Sequence, residues 1–121
     1  MFLIGDGKLD LHGNKWTLVD NQYLDGWDGD INVVSSTVAA GEIALAGNEL
    51  GLGHNLSNVV VSNDPSQGTG KLDLNGRTWT LVAAEDLAAG DVKVYGDLWG
   101  YTESQIDLGG NTLTLGYDLG G

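Results

Sequence analysis

The chain has 121 residues, no cysteine, and 5 Lys and Arg against 17 Asp and Glu, for a net charge of −12. That length fits one domain spanning 1–121, able to remove about 65% of its unfolded surface from water, and without thiols it has neither a disulfide framework nor a cysteine metal site. Scarce Lys and Arg argue against nucleic acid as a partner, and no apolar run is long enough for membrane insertion.

The opening MFLIGDGK has no basic segment and only a short apolar run, so no signal peptide is expected: the chain acts where it is made, or an export signal has been removed. From there, apolar residues alternate with period two, the spacing of half-buried strands. The predicted strands carry Leu9/Leu11, Trp16/Leu18 and Ile31/Val33, then Ile43/Leu45, Leu50/Leu52 and Val59/Val61. They continue with Leu72/Leu74, Trp79/Leu81 and Val92/Val94, and finish with Ile106/Leu108 and Leu113/Leu115, before the chain closes near Leu119 without a full third strand.

The second half repeats the first. Residues 7–58 align without a gap onto 70–121, a shift of 63, with about 20 of 52 positions identical. A weaker pattern, [LI]-x-L-x-G-[NR]-x-[WL]-x-L, occurs four times, starting at Leu9, Ile43, Leu72 and Ile106, in steps of 34, 29 and 34 residues. A recurring step near thirty is a stacking signature. The expected fold is all-β, a short three-sided parallel β-solenoid of about four coils, with Leu9, Ile43, Leu72 and Ile106 in one column. Gly13-Asn14, Gly47-Asn48, Gly76-Arg77 and Gly110-Asn111 mark its corners. The alternative is a hairpin-built β-sandwich or barrel. Asn75-Gly76 spells a hairpin turn, whereas Ala46, at the equivalent position of another unit, would be strained in a type I′ turn.

The strings LDLNGRTWTLV (72–82) and IDLGGNTLTLG (106–116) resemble the repeats of right-handed parallel β-helix proteins, namely bacterial autotransporter passenger regions and phage fibre segments. The resemblance covers the four repeat cores and implies a fold used for adhesion, decoration and fibres.

Candidate chemistry lies in the strands and in the irregular connections. Asp10, Asp73 and Asp107 each sit between two apolar residues, with Ala44 at the fourth place. In a one-column stack Asp73 and Asp107 are neighbours, at the separation of a glycosidase pair, or simply part of a solvated face. Asp28, Asp30 and Asn32 spell the first half of a calcium loop, although Val33 and Ala39 stand where its Gly and Glu belong, leaving Ca²⁺ as the one candidate cofactor. His12 and His54 are too far apart to share a metal. Trp16 and Trp79 are repeat-equivalent and read as core, whereas Trp27, Tyr95, Trp99 and Tyr101 lie in loops and form a candidate contact for a sugar or a protein. Neither terminal segment, Phe2-Leu3-Ile4 or Tyr117-Asp118-Leu119, makes a polar cap, so an end of the stack is expected to be covered by another subunit. The expected function is non-enzymatic: a virion decoration or fibre component or a surface filament subunit, homo-oligomeric, on the virion or the cell surface. A carbohydrate-binding module using the loop aromatics is the alternative, and a carbohydrate-active enzyme using Asp73 and Asp107 comes third.

Overall fold

The computed structural model describes residues 1–97, 100 and 102–120. Every strand pairing in it is parallel, and pairing partners lie 18 to 28 residues apart in sequence, one turn of a solenoid. Three strand columns enclose a single apolar interior over about four turns. The third column is the most continuous, a four-stranded sheet of β3 (Gln22–Tyr23), β6 (Glu49–Gly51), β8 (Gly70–Asp73) and β11 (Val92–Tyr95). The first column starts with β1 (Gly7–Asp10) on β4 (Ile31–Val34). Leu56 bridges Trp79 higher up, and β9 (Thr78–Thr80) then carries β12 (Gln105–Asp107). The second column stacks β2 (Lys15–Thr17), β5 (Gly41–Ala44) and β7 (Val59–Ser62), and above them β10 (Glu85–Asp86) pairs with β13 (Leu113–Thr114). The chain visits the columns in the order one, two, three on every turn. A 3-10 turn, Pro65–Gln67, interrupts the strands, and no helix among the described residues is long and apolar enough to cross a membrane.

Period-two alternation sends one set of side chains inward. Ile43, Leu45, Leu50, Val59, Leu72 and Trp79 are completely buried. Trp16 and Trp79 fill repeat-equivalent core positions, as expected, and neither indole Nε1 has a hydrogen-bond partner among the described residues.

The register differs from the one the repeat spacing implied. Leu9 faces Val33 in the first column, Ile43 lies between Trp16 and Val61 in the second, Leu72 lies between Leu50 and Val94 in the third, and Ile106 returns to the first, on Trp79. Each step of the pattern is therefore about four-thirds of a turn. The physical reason is that the pattern encodes a strand, a tight corner and the next strand, and a corner of that chemistry fits each of the three edges. A helical stack can place that unit at any of them.

The corners show what that chemistry is. His12, Ala46, Asn75 and Gly109 have φ of 51°, 52°, 52° and 56°, and the glycines that follow them have φ of 77° to 85°. Each corner is closed by an i to i+3 backbone hydrogen bond, from Asn14 N to Leu11 O, Asn48 N to Leu45 O, Arg77 N to Leu74 O and Asn111 N to Leu108 O. Two successive positive φ values are the signature of a type I′ turn, here joining strands that do not pair with one another. The strain foreseen for Ala46 is thus present in the fold and does not select against it. The aspartates of the L-D-L triplets serve the same corners: Asp10, Asp73 and Asp107 accept from the N–H of His12, Asn75 and Gly109, two residues ahead. Asp73 and Asp107 lie in the third and first columns, so they are not the stacked neighbours that a one-column register required.

Left-handed backbone at a residue with a Cβ costs about 1 kcal/mol, and Ala46 has no side-chain oxygen to offset it. We expect Ala46→Gly to raise the unfolding free energy by about 0.5–1 kcal/mol in chemical denaturation, with the m-value unchanged.

Candidate functional site

Two of the candidate contact residues, Trp99 and Tyr101, lie outside the described residues. The other two are not brought together. Trp27 stands at the tip of a tight turn closed by an Asp25–Asp30 bridge and by Gly26 N donating to Gly29 O, with its side chain 83% exposed. Tyr95 ends β11, three turns further along the stack.

The residues of the half calcium loop engage different partners. Asp28 Oδ2 accepts from Tyr23 N at 2.9 Å and from Gln22 Nε2 at 3.1 Å, so it serves as the internal fastening of its own loop. Asp30 Oδ1 lies 2.6 Å from His54 Nε2, and its N–H donates to Asp6. Asn32 sits within β4 opposite Lys8. Among the described residues, no three His, Cys, Asp or Glu side chains gather in a metal-holding group. His12 stands at the first corner, 3.4 Å from Ser36 Oγ, and shares nothing with His54.

Tyr95 belongs instead to a cleft on the outer face of the third column. Register stacks Glu49, Lys71 and Lys93 in one outward row, and Gly51, Asp73 and Tyr95 in the next. With Tyr117 from the C-terminal segment, Glu49, Lys71, Lys93 and Tyr95 border a depression of about 620 Å³. Lys93 Nζ lies 5.2 Å from the centre of the Tyr95 ring and 5.8 Å from that of Tyr117, within cation–π reach of both. The Tyr117 hydroxyl donates to Asp91 Oδ1, while Thr69 Oγ1 donates to Asp91 Oδ2 at 2.8 Å, which fixes that wall. These bonds, the one from Tyr117 first, hold the Asp91 carboxyl below its usual range. Across the cleft floor, burial and then the neighbouring Glu49 carboxylate push the Tyr23 hydroxyl above its usual pKa. Sequence reasoning named Tyr95 but missed Lys71, Lys93 and Tyr117. GKL (70–72) and VKV (92–94) carry the signal, and it is legible only once a turn of 22 residues is known.

Two buried polar side chains, equivalent across the duplication, mend gaps in the backbone ladder. Gln22 accepts from Leu3 N through Oε1 and donates from Nε2 to Leu3 O, so its amide acts as a strand partner for the N-terminal segment. Glu85 is 7% exposed and accepts from Val61 N at 3.0 Å, between β7 and β10, where no strand pairing exists. Burial pushes the Glu85 pKa up to about 7, against the opposing effect of the Val61 N–H, and the Glu42 carboxylate adds to the rise.

Scans against protein-family models, curated proteins and solved structures give no match.

Because its folded pKa is raised, Glu85 favours the fold while protonated. That contribution is complete below the unfolded value of 4.5, is lost as pH rises towards 7, and changes no further above it. The shift corresponds to roughly 3 kcal/mol of stability between those limits. We expect thermal melts from pH 4.5 to 8 to show this decline, and Glu85→Gln, which copies Gln22, to flatten it and to raise the melting temperature at pH 8 by a few degrees.

Proposed function

We propose that this is a non-enzymatic structural subunit that assembles by stacking the exposed rung carrying Leu108, Leu115 and Leu119 onto a second copy, in a virion decoration or fibre, or in a filament at a cell surface. One comparison within the chain carries the reading. Leu45, Leu52 and Leu56 are 0–2% exposed, because the next rungs cover them, Val59–Ser62 above Leu45 and the start of the second repeat above Leu52 and Leu56. Their equivalents Leu108, Leu115 and Leu119 are 46%, 42% and 49% exposed. The same side chains in the same pattern are thus covered once and left bare once, which supports another rung of this kind as their cover.

Among the described residues no strand pairs with the outer edge of β12 or β13, which favours completion by further strands. Covering each half-exposed leucine is worth about 1 kcal/mol. The opposite end differs, since Leu3 packs on the core while Met1, Phe2 and Ile4 remain exposed, and an apolar end facing a different apolar end gives a head-to-tail, open assembly.

We expect sedimentation of the untagged protein at micromolar concentration to show species larger than the monomer, and negative-stain microscopy to show rods one solenoid wide. Leu108→Glu with Leu115→Glu, at sites already half exposed, should give a folded monomer with an unchanged circular dichroism spectrum. A wild-type monomer that does not change with concentration would overturn the reading.

A further inference from the structure

We propose that the cleft on the third column binds an acidic sugar, a pyranose bearing one carboxylate, with Lys71 and Lys93 receiving the carboxylate and the Tyr95 ring receiving the sugar face. The site is independent of the end-to-end assembly, since it lies on a lateral face.

The pairing of charges is the first argument. The chain has 17 carboxylates and only 5 basic residues, yet neither Lys71 nor Lys93 forms an ion pair with a described carboxylate; the ion pairs are Lys15–Glu42 and His54–Asp30. The two lysines are instead direct register partners, about 4.8 Å apart along the stack. Like charges placed opposite one another across a pair of strands destabilise it. The same row places Glu49 opposite Lys71, and the Asp91 carboxylate in the wall is held by Tyr117 and Thr69, so in this acidic chain Lys93, at the far end of the row from Glu49, with Lys71 beside it, is the part of the cleft suited to an anion.

The walls narrow the class of anion. Tyr95 and Tyr117 bracket Lys93, so the cation is presented beside aromatic faces of the kind on which the C–H side of a pyranose stacks. Thr69, Asn21 and Glu49 on the rim supply a hydroxyl, an amide and a carboxylate for sugar hydroxyl groups. A dianionic phosphate concentrates its charge on one group against the field of a net −12 protein, whereas one carboxylate per sugar is accommodated by the two lysines. A neutral sugar would leave the ammonium groups unused.

Isothermal titration with galacturonate, tetragalacturonate, maltotetraose and inorganic phosphate tests this on the full chain. We expect heat with a uronate and none with maltotetraose. Affinity should fall about tenfold or more in Lys93→Ala and in Lys71→Ala, as for loss of a charge-assisted hydrogen bond. Affinity for the tetramer well above that for the monomer would identify a polysaccharide residue as the ligand, and equal affinities a free sugar acid. Tyr95→Leu should also weaken uronate binding, and melting temperatures of all three variants close to that of the wild type serve as the control for folding. No heat with either uronate, equal binding of maltotetraose, tighter binding of phosphate, or undiminished affinity in lysine variants that melt like the wild type would each overturn the assignment.

Discussion

A turn of solenoid cannot bury its own apolar side chains; it needs the turn on either side, through parallel backbone hydrogen bonds at the perimeter and side-chain contact within. The architecture follows from that dependence. Interior rungs such as Ile43, Leu50 and Leu72 lose all contact with water, while chemically identical positions in the last rung stay half open. The ladder also draws two polar side chains into the interior, whereas Asp73 is buried at a corner. Where strands fail to pair, Gln22 and Glu85 supply the missing partners from their side chains, at two positions related by the duplication.

The constraint extends to the corners. At the four corners of the repeated pattern a strand has two residues in which to turn from one face to the next, and both adopt positive φ. Glycine takes the second place each time. The first is taken by His12, Ala46, Asn75 or Gly109, helped at three of the four corners by an aspartate that accepts the N–H of that residue. The recurring Asp is therefore a turn-forming group, which accounts for the L-D-L triplet without recourse to catalysis. At the remaining corner Ala44 holds the aspartate's place, and Asn48 Nδ2 bonds the carbonyls of Leu45 and Ala46 instead.

Much of this was legible in the residues. Alternation located the strands, the duplication identified a stacked fold, and Trp16 and Trp79 announced themselves as core by sharing the places of Leu50 and Leu113. The register was not legible, because the strongest repeat follows corners and not turns: no motif marks the pairing of Leu9 with Val33 or of Leu72 with Val94. The candidate site suffered from the same blindness. Lys71 and Lys93 look unrelated until the length of a turn is fixed, and the calcium-like spacing of Asp28, Asp30 and Asn32 gives no hint that Asp28 fastens Tyr23 and Gln22 while Asp30 meets His54. Spacing along a chain specifies neighbours only when the path between them is known.

The four-thirds step bears on how such a chain can grow. Because 63 residues make about two and two-thirds turns, the second copy is wound a third of a revolution out of phase with the first: β1 in the first column corresponds to β8 in the third. Tandem copying thus spirals every outward feature around the rod, and a feature arising in one unit would face the same direction again only after three units, or about eight turns. Multivalency along a single side is for that reason inaccessible to a simple doubling, and the two halves of this protein are free to diverge on their surfaces while their interiors remain bound to one pattern.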